Sequence, residues 1–322
     1  MNEFSTPTVV VSKCLEFEAC RYNGDVIFDE TVKSLRPFVT FIPVCPEVEI
    51  GLGIPRETIR IISESSEIRL IQPSTGKDVT DEMNTFSDTF LQSLPEVDGF
   101  LLKNRSPSCG IREVKVYKGT QKGAMSEKGS GLFGGKVLDT YGHLAVEEEG
   151  RLKNFTIREH YFTKLFTLAS FREIKHAPTL KKLLSFHSNN KYLFMAYNQT
   201  RLKELGRIVA NHEQKDIVVV TSLYENKLYE LFARSARYTS HVNVCQHIFG
   251  YFSKQLHQDE RIHFLSLLDK YVKKKLPLST LTSLLKSWTL RFNNTYLKSQ
   301  TYFQPYPEDL VAISDSGKGR DY

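Results

Sequence analysis

The chain has 322 residues, 40% of them hydrophobic and 25% charged, with a net charge of +6. That length suits two domains of about 150 residues each, and the composition is that of a globular protein. No apolar run approaches the roughly 20 residues needed to span a bilayer, and Met1–Val11 lacks both a basic stretch and a long apolar core. The N-terminus therefore does not read as a secretory signal, and a cytoplasmic location with no membrane partner is expected.

The first half alternates short apolar runs with polar, helix-like stretches. Thr8–Val11, Val39–Val44, Ile68–Ile71 and Gly99–Leu102 read as strands, being short, partly β-branched and bounded by turn residues. Asp29–Leu35 and Asp81–Leu94 read as helices between them. Such alternation predicts an α/β domain with a mostly parallel, Rossmann-like sheet. Gly119–Gly135 holds six glycines and no strong period, and reads as a mobile loop or lid. It lacks the GxxxxGK[ST] spacing of a phosphate loop.

From about Phe155 the texture changes. Tyr161–Ile174, Thr179–Phe186, Lys191–Asn198, Thr200–Asn211, Leu223–Arg237, Val242–Leu256, Glu260–Lys274 and Leu278–Phe292 carry apolar residues three and four apart, the mark of amphipathic helices. Ile217–Val220 fits either a strand or a buried helical turn, and Ser314–Tyr322 reads as a frayed end. The expected organisation is an α/β domain over residues 1–152 and a mainly α-helical domain over 153–322.

Charge divides along the same line. Residues 151–322 hold 27 Lys and Arg against 14 Asp and Glu, a net of +13; residues 1–150 hold 16 against 23, a net of −7. A basic half suits a phosphate-rich partner, although a solvated basic helical surface gives the same count.

Five cysteines are present, Cys14, Cys20, Cys45, Cys109 and Cys245. An odd count in a chain without an export signal points away from disulfides and towards thiols, metal ligands or catalysis. Cys14, Cys45 and Cys109 each follow a predicted strand, and strand ends on the carboxyl side of a parallel sheet line its ligand crevice. No CxxC pair suggests zinc. Three dispersed thiolates suit an iron–sulfur cluster with one iron left without a protein ligand. The plain alternative is three reduced cysteines packed in a core.

The local sequences carry a resemblance. Ser12-Lys13-Cys14-Leu15 with Cys20-Arg21-Tyr22-Asn23-Gly24, Pro43-Val44-Cys45-Pro46-Glu47 with Gly51-Leu52-Gly53-Ile54-Pro55-Arg56, and Lys103-Asn104-Arg105-Ser106-Pro107-Ser108-Cys109-Gly110 together resemble the thiouracil desulfidase family over residues 8–150. That family often has a glycine where Phe17 or Glu18 stands. The resemblance implies a [4Fe-4S] cluster held by Cys14, Cys45 and Cys109, whose fourth iron binds the thione sulfur. It implies hydrolytic loss of sulfide without net electron transfer. Proton movement then needs an acid or base. Glu47 is the candidate, against the plain role of a salt-bridged carboxylate. Ser106 and Ser108 are candidates for bonding the base or water, against turn formation around Pro107. Cys20 is either a relay thiol or a packed residue, and Cys245 reads as buried.

The second half resembles the helical module fused to the RNA 4-thiouridine desulfidases, through Phe186–Asn198, His241–Phe252 and Gln300–Pro307. This implies a tRNA containing 4-thiouridine as the partner. Candidate RNA contacts are His187, Lys191, Asn198, His241, Asn243, His247 and Lys254. Tyr197, Tyr251 and Phe252 are candidates to stack on bases, against the plain role of helix core. Two rivals stand beside this reading: a desulfidase of free thiouracil or thiouridine, and a non-enzymatic nucleic-acid-binding protein stapled by a metal centre.

Overall fold

A computed structural model of the chain describes residues 4–64, 67–121 and 123–316. These form two compact units. One is built from the described residues up to Ala169 and those from Asp309 onward, the other from Ser170–Glu308.

In chain order the first unit contains β1 (Thr8–Ser12), α1 (Glu30–Leu35), β2 (Thr40–Val44), α2 (Pro46–Glu49), β3 (Arg60–Glu64), β4 (Glu67–Gln72), β5 (Lys77–Asp78), α3 (Thr80–Ser93), β6 (Gly99–Leu102), β7 (Val114–Tyr117), β8 (Ser126–Gly129), α4 (Leu132–Tyr141) and β9 (Ala145–Glu148). A four-stranded sheet in the order β2-β1-β6-β9 is parallel throughout, with Val10 level with Ile42 on one side and Phe100 on the other. Val9, Val10 and Val11 are all fully buried. A central parallel strand is covered on both faces, which is why it reads as an unbroken apolar run rather than an alternating one. Asp29 starts α1 by accepting the N–H groups of Thr31 and Val32 at 3.0 and 3.1 Å.

The α/β class, the parallel sheet and the helical second half are as the sequence predicts. A second sheet is an addition: five strands in the order β5-β4-β3-β7-β8, antiparallel except where β3 meets β7. The Ile68–Ile71 run belongs to this sheet as β4. The glycine-rich stretch is not a lid. Its described residues form a turn, strand β8 and the start of helix α4. Its glycines serve close packing: a Cβ on Gly131 would lie 2.4 Å from the Ser108 carbonyl oxygen, and one on Gly134 would lie 2.5 Å from those of Cys109 and Gly110.

The second unit begins within α5 (Phe155–His176) and continues through α6 (Leu180–Asn189), α7 (Lys191–Tyr197), α8 (Gln199–Ala210), α9 (Ile217–Leu231), α10 (Tyr238–Gly250), α11 (Gln258–Val272), α12 (Leu278–Arg291) and α13 (Thr295–Lys298). Ile217–Val220 is the first turn of α9. Asp216 caps it through the Val218 N–H at 2.8 Å, and Val220, Tyr224, Leu228 and Leu231 point inward at helical spacing. The core is aromatic: Phe171, Phe186, Phe194, Tyr224 and Phe232 form one ring cluster, and Phe249, Phe252, Phe264 and Trp288 another.

The expected fraying does not hold for Ser314–Ser316. Arg158, buried in α5, donates to the carbonyls of Ala312 and Ser314 at 2.7 Å, and the Ser316 N–H donates to the Lys153 carbonyl at 2.9 Å. A buried guanidinium must find acceptors, and this segment supplies them. Residues 317–322 lie outside the described ones. No helix among the described residues is long and apolar enough to cross a membrane, and all five cysteines are free thiols.

Candidate active site

Strands β2, β1 and β6 run side by side in the same direction, so their C-terminal ends share one edge of the sheet. Chain order reverses across β1, the topological switch point where open α/β sheets bind ligands. Cys14 lies just past β1, Cys45 directly follows β2, and Cys109 ends the loop after β6. Cys45 is also the N-cap of α2, with Pro46 supplying the preset φ of a first helical position. The loop after Cys14 is held by paired backbone bonds with Ile27, and its left-handed residue is Glu16 (φ 69°).

The loop carrying Cys109 is anchored from three sides. Ser106 Oγ accepts the N–H groups of Ser108 and Cys109 at 3.3 and 3.1 Å. Two carboxylates at the end of β9 hold its flanks. Glu149 accepts from the Asn104 N–H at 2.7 Å and Lys103 Nζ at 2.6 Å; Glu148 accepts from the Ile111 and Arg112 N–H groups at 2.8 and 3.2 Å. Burial pushes the Glu148 carboxyl up, and those two N–H donors oppose the shift. The start of α4 closes the third side, with N–H groups of Gly131, Leu132 and Gly134 donating to the carbonyls of Gly110, Pro107 and Ser108. Gly134→Ala is therefore expected to lower stability by about 1–3 kcal/mol, the usual cost of forcing a methyl into a filled space. A thermal melt checks this, and an unchanged melt would mean the helix and loop separate freely.

Glu47, Ser106 and Ser108 meet beside the cysteines. Ser108 Oγ donates to Glu47 Oε1 at 2.7 Å, and Ser106 Oγ lies 2.9 Å from Ser108 Oγ. The other Glu47 oxygen pairs with Arg56, whose Nε and Nη2 both lie 2.8 Å away. Arg56 is almost wholly buried. Its Nη1 donates to the carbonyls of Cys20 and Gly53 at 3.0 and 3.1 Å, and its Nη2 lies 3.9 Å from Cys45 Sγ. Sequence reasoning quoted Arg56 but gave it no role. The turn-rich Gly51–Pro55 run, which folds the chain back towards Glu47, was the available signal. Ser12 was also missed: its Oγ accepts the Lys103 N–H at 2.8 Å and its hydroxyl bonds Cys109.

The thiols form a group of four. Cys20 is fully buried and lies within hydrogen-bond reach of Cys14 and Cys45. The bond to Cys14 is the largest influence raising the Cys20 thiol, to about 11. The bond to Cys20, then burial, raises Cys45. Burial raises Cys109 to about 12, against the Ser12 hydroxyl bond. These influences favour the protonated thiols, so ligation by Cys45 and Cys109 would release protons.

No group of three or more His, Cys, Asp or Glu side chains among the described residues is set to hold a single metal ion. The donor set at the sheet edge is all sulfur, which selects iron–sulfur chemistry over hard cations. Arg56 beside Cys45 offsets the negative charge that bound thiolates accumulate. The residues present fit an iron–sulfur group.

The helical-unit candidates do not gather at one place through any shared bond. His187 Nδ1 lies 3.0 Å from the Tyr224 hydroxyl and His241 Nδ1 lies 3.0 Å from that of Tyr302. Burial pushes both rings down to about 4, so both are neutral at pH 7. Asn198 caps α8 through Thr200 and Arg201. Lys191, His247 and Lys254 are exposed, and Asn243 is half-buried. Phe252 is core; Tyr197 packs on Phe232, and Tyr251 bonds the Tyr192 hydroxyl at 3.2 Å. Cys245 is fully buried, as expected.

Comparison with known proteins finds separate matches for two stretches of the chain. Residues 9–149 match the family model described as 2-thiouracil desulfurase, and residues 191–307 match a model described as a protein of unknown function, DUF1722. The uncharacterized protein YbbK of Bacillus subtilis is 31% identical over 147 residues, covering 44% of this chain and 95% of that protein. The uncharacterized protein YbgA of Escherichia coli is 28% identical over 156 residues, covering 48% and 92%. The solved structure of the [4Fe-4S]-dependent thiouracil desulfidase TudS is similar at 28% identity over 46% of this chain and 93% of that one, with a TM-score of 0.36. Over its first half the chain belongs to the 2-thiouracil desulfurase family.

Proposed function

We propose that this member of the 2-thiouracil desulfurase family converts 4-thiouridine in tRNA to uridine, consuming one water and releasing sulfide. The chemistry lies in residues 1–152 and RNA binding in the basic residues 153–322. Cys14, Cys45 and Cys109 would hold a [4Fe-4S] cluster that leaves one iron without a protein ligand. The observation that carries this reading is the meeting of strand-end thiols with the Ser106–Ser108–Glu47–Arg56 chain at the switch point of the sheet.

When bound, such a cluster supplies a Lewis acid for a soft thione sulfur. The chain's own residues supply the rest. Glu47 takes a proton from the water that adds to the ring carbon and returns it as sulfur departs. Ser108 orients that carboxylate from one side and Arg56 from the other. Ser106 continues the hydrogen-bond chain and holds the Cys109 N–H. Cys20 is read as a packed thiol, since a relay thiol needs access that its burial denies. The reduced thiols and the tRNA partner suit the cytoplasm.

The net +13 of residues 151–322 supports RNA over a free base. The family's own description, a desulfurase of 2-thiouracil, favours a second reading in which a free thiolated base is the substrate. One experiment separates them. Protein reconstituted anaerobically with iron and sulfide is incubated with 4-thiouridine-containing tRNA, and the loss of its near-ultraviolet absorbance is followed. Cluster-dependent loss is expected. Turnover of free thiouracil with untouched tRNA moves the assignment to the second reading, and inertness towards both refutes desulfuration.

A further inference from the structure

The helical unit holds a cleft of about 420 Å³ lined by Tyr238, Tyr271, Lys274, Lys275, Leu276 and Pro277. None of these residues was a candidate binding residue in the sequence, where Pro277 reads only as a helix start. Four features give the cleft a chemical character.

Its charge is positive and unbalanced. Lys273 pairs with Asp269 at 2.7 Å, but among the described residues no carboxylate pairs with Lys274 or Lys275. Two helices start at its walls. α10 begins at Tyr238 and α12 follows Pro277, and neither start has a side-chain cap or an acidic residue in its first turn. Uncapped first-turn N–H groups attract anions. Three carbonyls near the end of α11, those of Asp269, Lys270 and Tyr271, accept the N–H groups of Lys273, Lys275 and Lys274. An aromatic ring is also at hand: Tyr238 is 47% exposed, and Lys274 Nζ covers one face of it, 5.5 Å from the ring centre, so that a base would stack on the opposite face.

The backbone supplies the fourth feature. Lys274 has φ 56°, in the left-handed region, directly after the C-cap of α11. Glycine is the ordinary residue there because a Cβ is disfavoured. A lysine keeps that cost and keeps an ammonium over the ring, which points to a use for the side chain.

We infer that this cleft docks one nucleotide unit of an RNA, with its phosphate on Lys274 and Lys275 and its base stacked on Tyr238. Lysines bind phosphate, aromatic faces stack bases, and Leu276 and Pro277 add apolar lining beside them. This rests on the reading that the chain acts on tRNA.

The test measures binding of full-length protein to a tRNA transcript across a salt series, with a melting temperature for each variant as the check on folding. For the double variant Lys274→Ala/Lys275→Ala, the slope of log affinity against log salt should become shallower by about 0.7–0.9, the worth of one neutralised phosphate. Tyr238→Ala should weaken binding about 5- to 150-fold with the slope kept, and Tyr238→Phe should restore it. If wild type binds with a steep salt slope and all variants match it, the cleft is not the docking point, while the tRNA reading stands. A lysine effect without a tyrosine effect overturns nucleotide docking in favour of bare charge. If wild type shows no salt-dependent binding, the tRNA reading fails and this inference with it.

Discussion

Cys45→Ser is expected to give a folded chain that retains almost no iron after anaerobic reconstitution and has no desulfidase activity. Cys45 sits where a ligand is hardest to replace: it directly follows β2, caps α2, and is fixed by Pro46 on one side and Arg56 on the other. Serine keeps the shape but offers a hard oxygen in place of a soft thiolate, so the iron affinity is lost while packing survives. Cys20→Ser is the control within the same cluster of thiols. Cys20 touches Cys14 and Cys45 but lies off the strand ends, and its contribution to Arg56 is a backbone carbonyl that the substitution keeps. Its variant should hold iron at the wild-type level. Iron and acid-labile sulfide content, with the visible absorption of the cluster, read both outcomes. The reverse pattern, iron lost from Cys20→Ser and kept in Cys45→Ser, would reassign the ligands.

The contrast between those two cysteines also marks what a linear reading can reach. β1 and β6 are legible because strands buried on both faces become unbroken apolar runs, and once they are parallel neighbours their following cysteines must share an edge. β8, with the sequence Ser-Glu-Lys-Gly, is invisible because pairing with β7 rather than side-chain preference makes it a strand. The glycines at 131 and 134 mislead for a related reason. A glycine needed for close approach and a glycine in a mobile loop are the same letter, and only the Ser108 and Cys109 carbonyls beneath them tell the two apart. Arg56 escapes assignment because its meaning depends on the return of the Gly51–Pro55 turn to Glu47. The partners of His187 and His241, Tyr224 and Tyr302, lie 37 and 61 residues away, so no local pattern announces those bonds.

Glu47→Gln tests the chemistry where the cysteine variants test only the cofactor. Turnover is expected to fall by about 10²–10⁴, the usual worth of a positioned acid or base, while iron content stays at the wild-type level. The geometry makes glutamine a discriminating substitution. Arg56 offers only donors to one Glu47 oxygen, so the glutamine must turn its own oxygen that way and its NH₂ towards Ser108. Ser108 then accepts instead of donating, and its hydroxyl hydrogen can turn to Cys109 Sγ, 3.7 Å away. The shape is unchanged, and the ability to take a proton is gone. Arg56 loses its counter-charge but keeps the carbonyls of Cys20 and Gly53, so the fold has support that a melting curve can verify. A loss confined to kcat, with KM steady, is the signature of a group that acts in the transition state rather than in binding. If Glu47→Gln turned over at the wild-type rate with its cluster loaded, the carboxylate would be no more than the counter-ion of Arg56, and the proton would have to move through Ser106 and Ser108 to water.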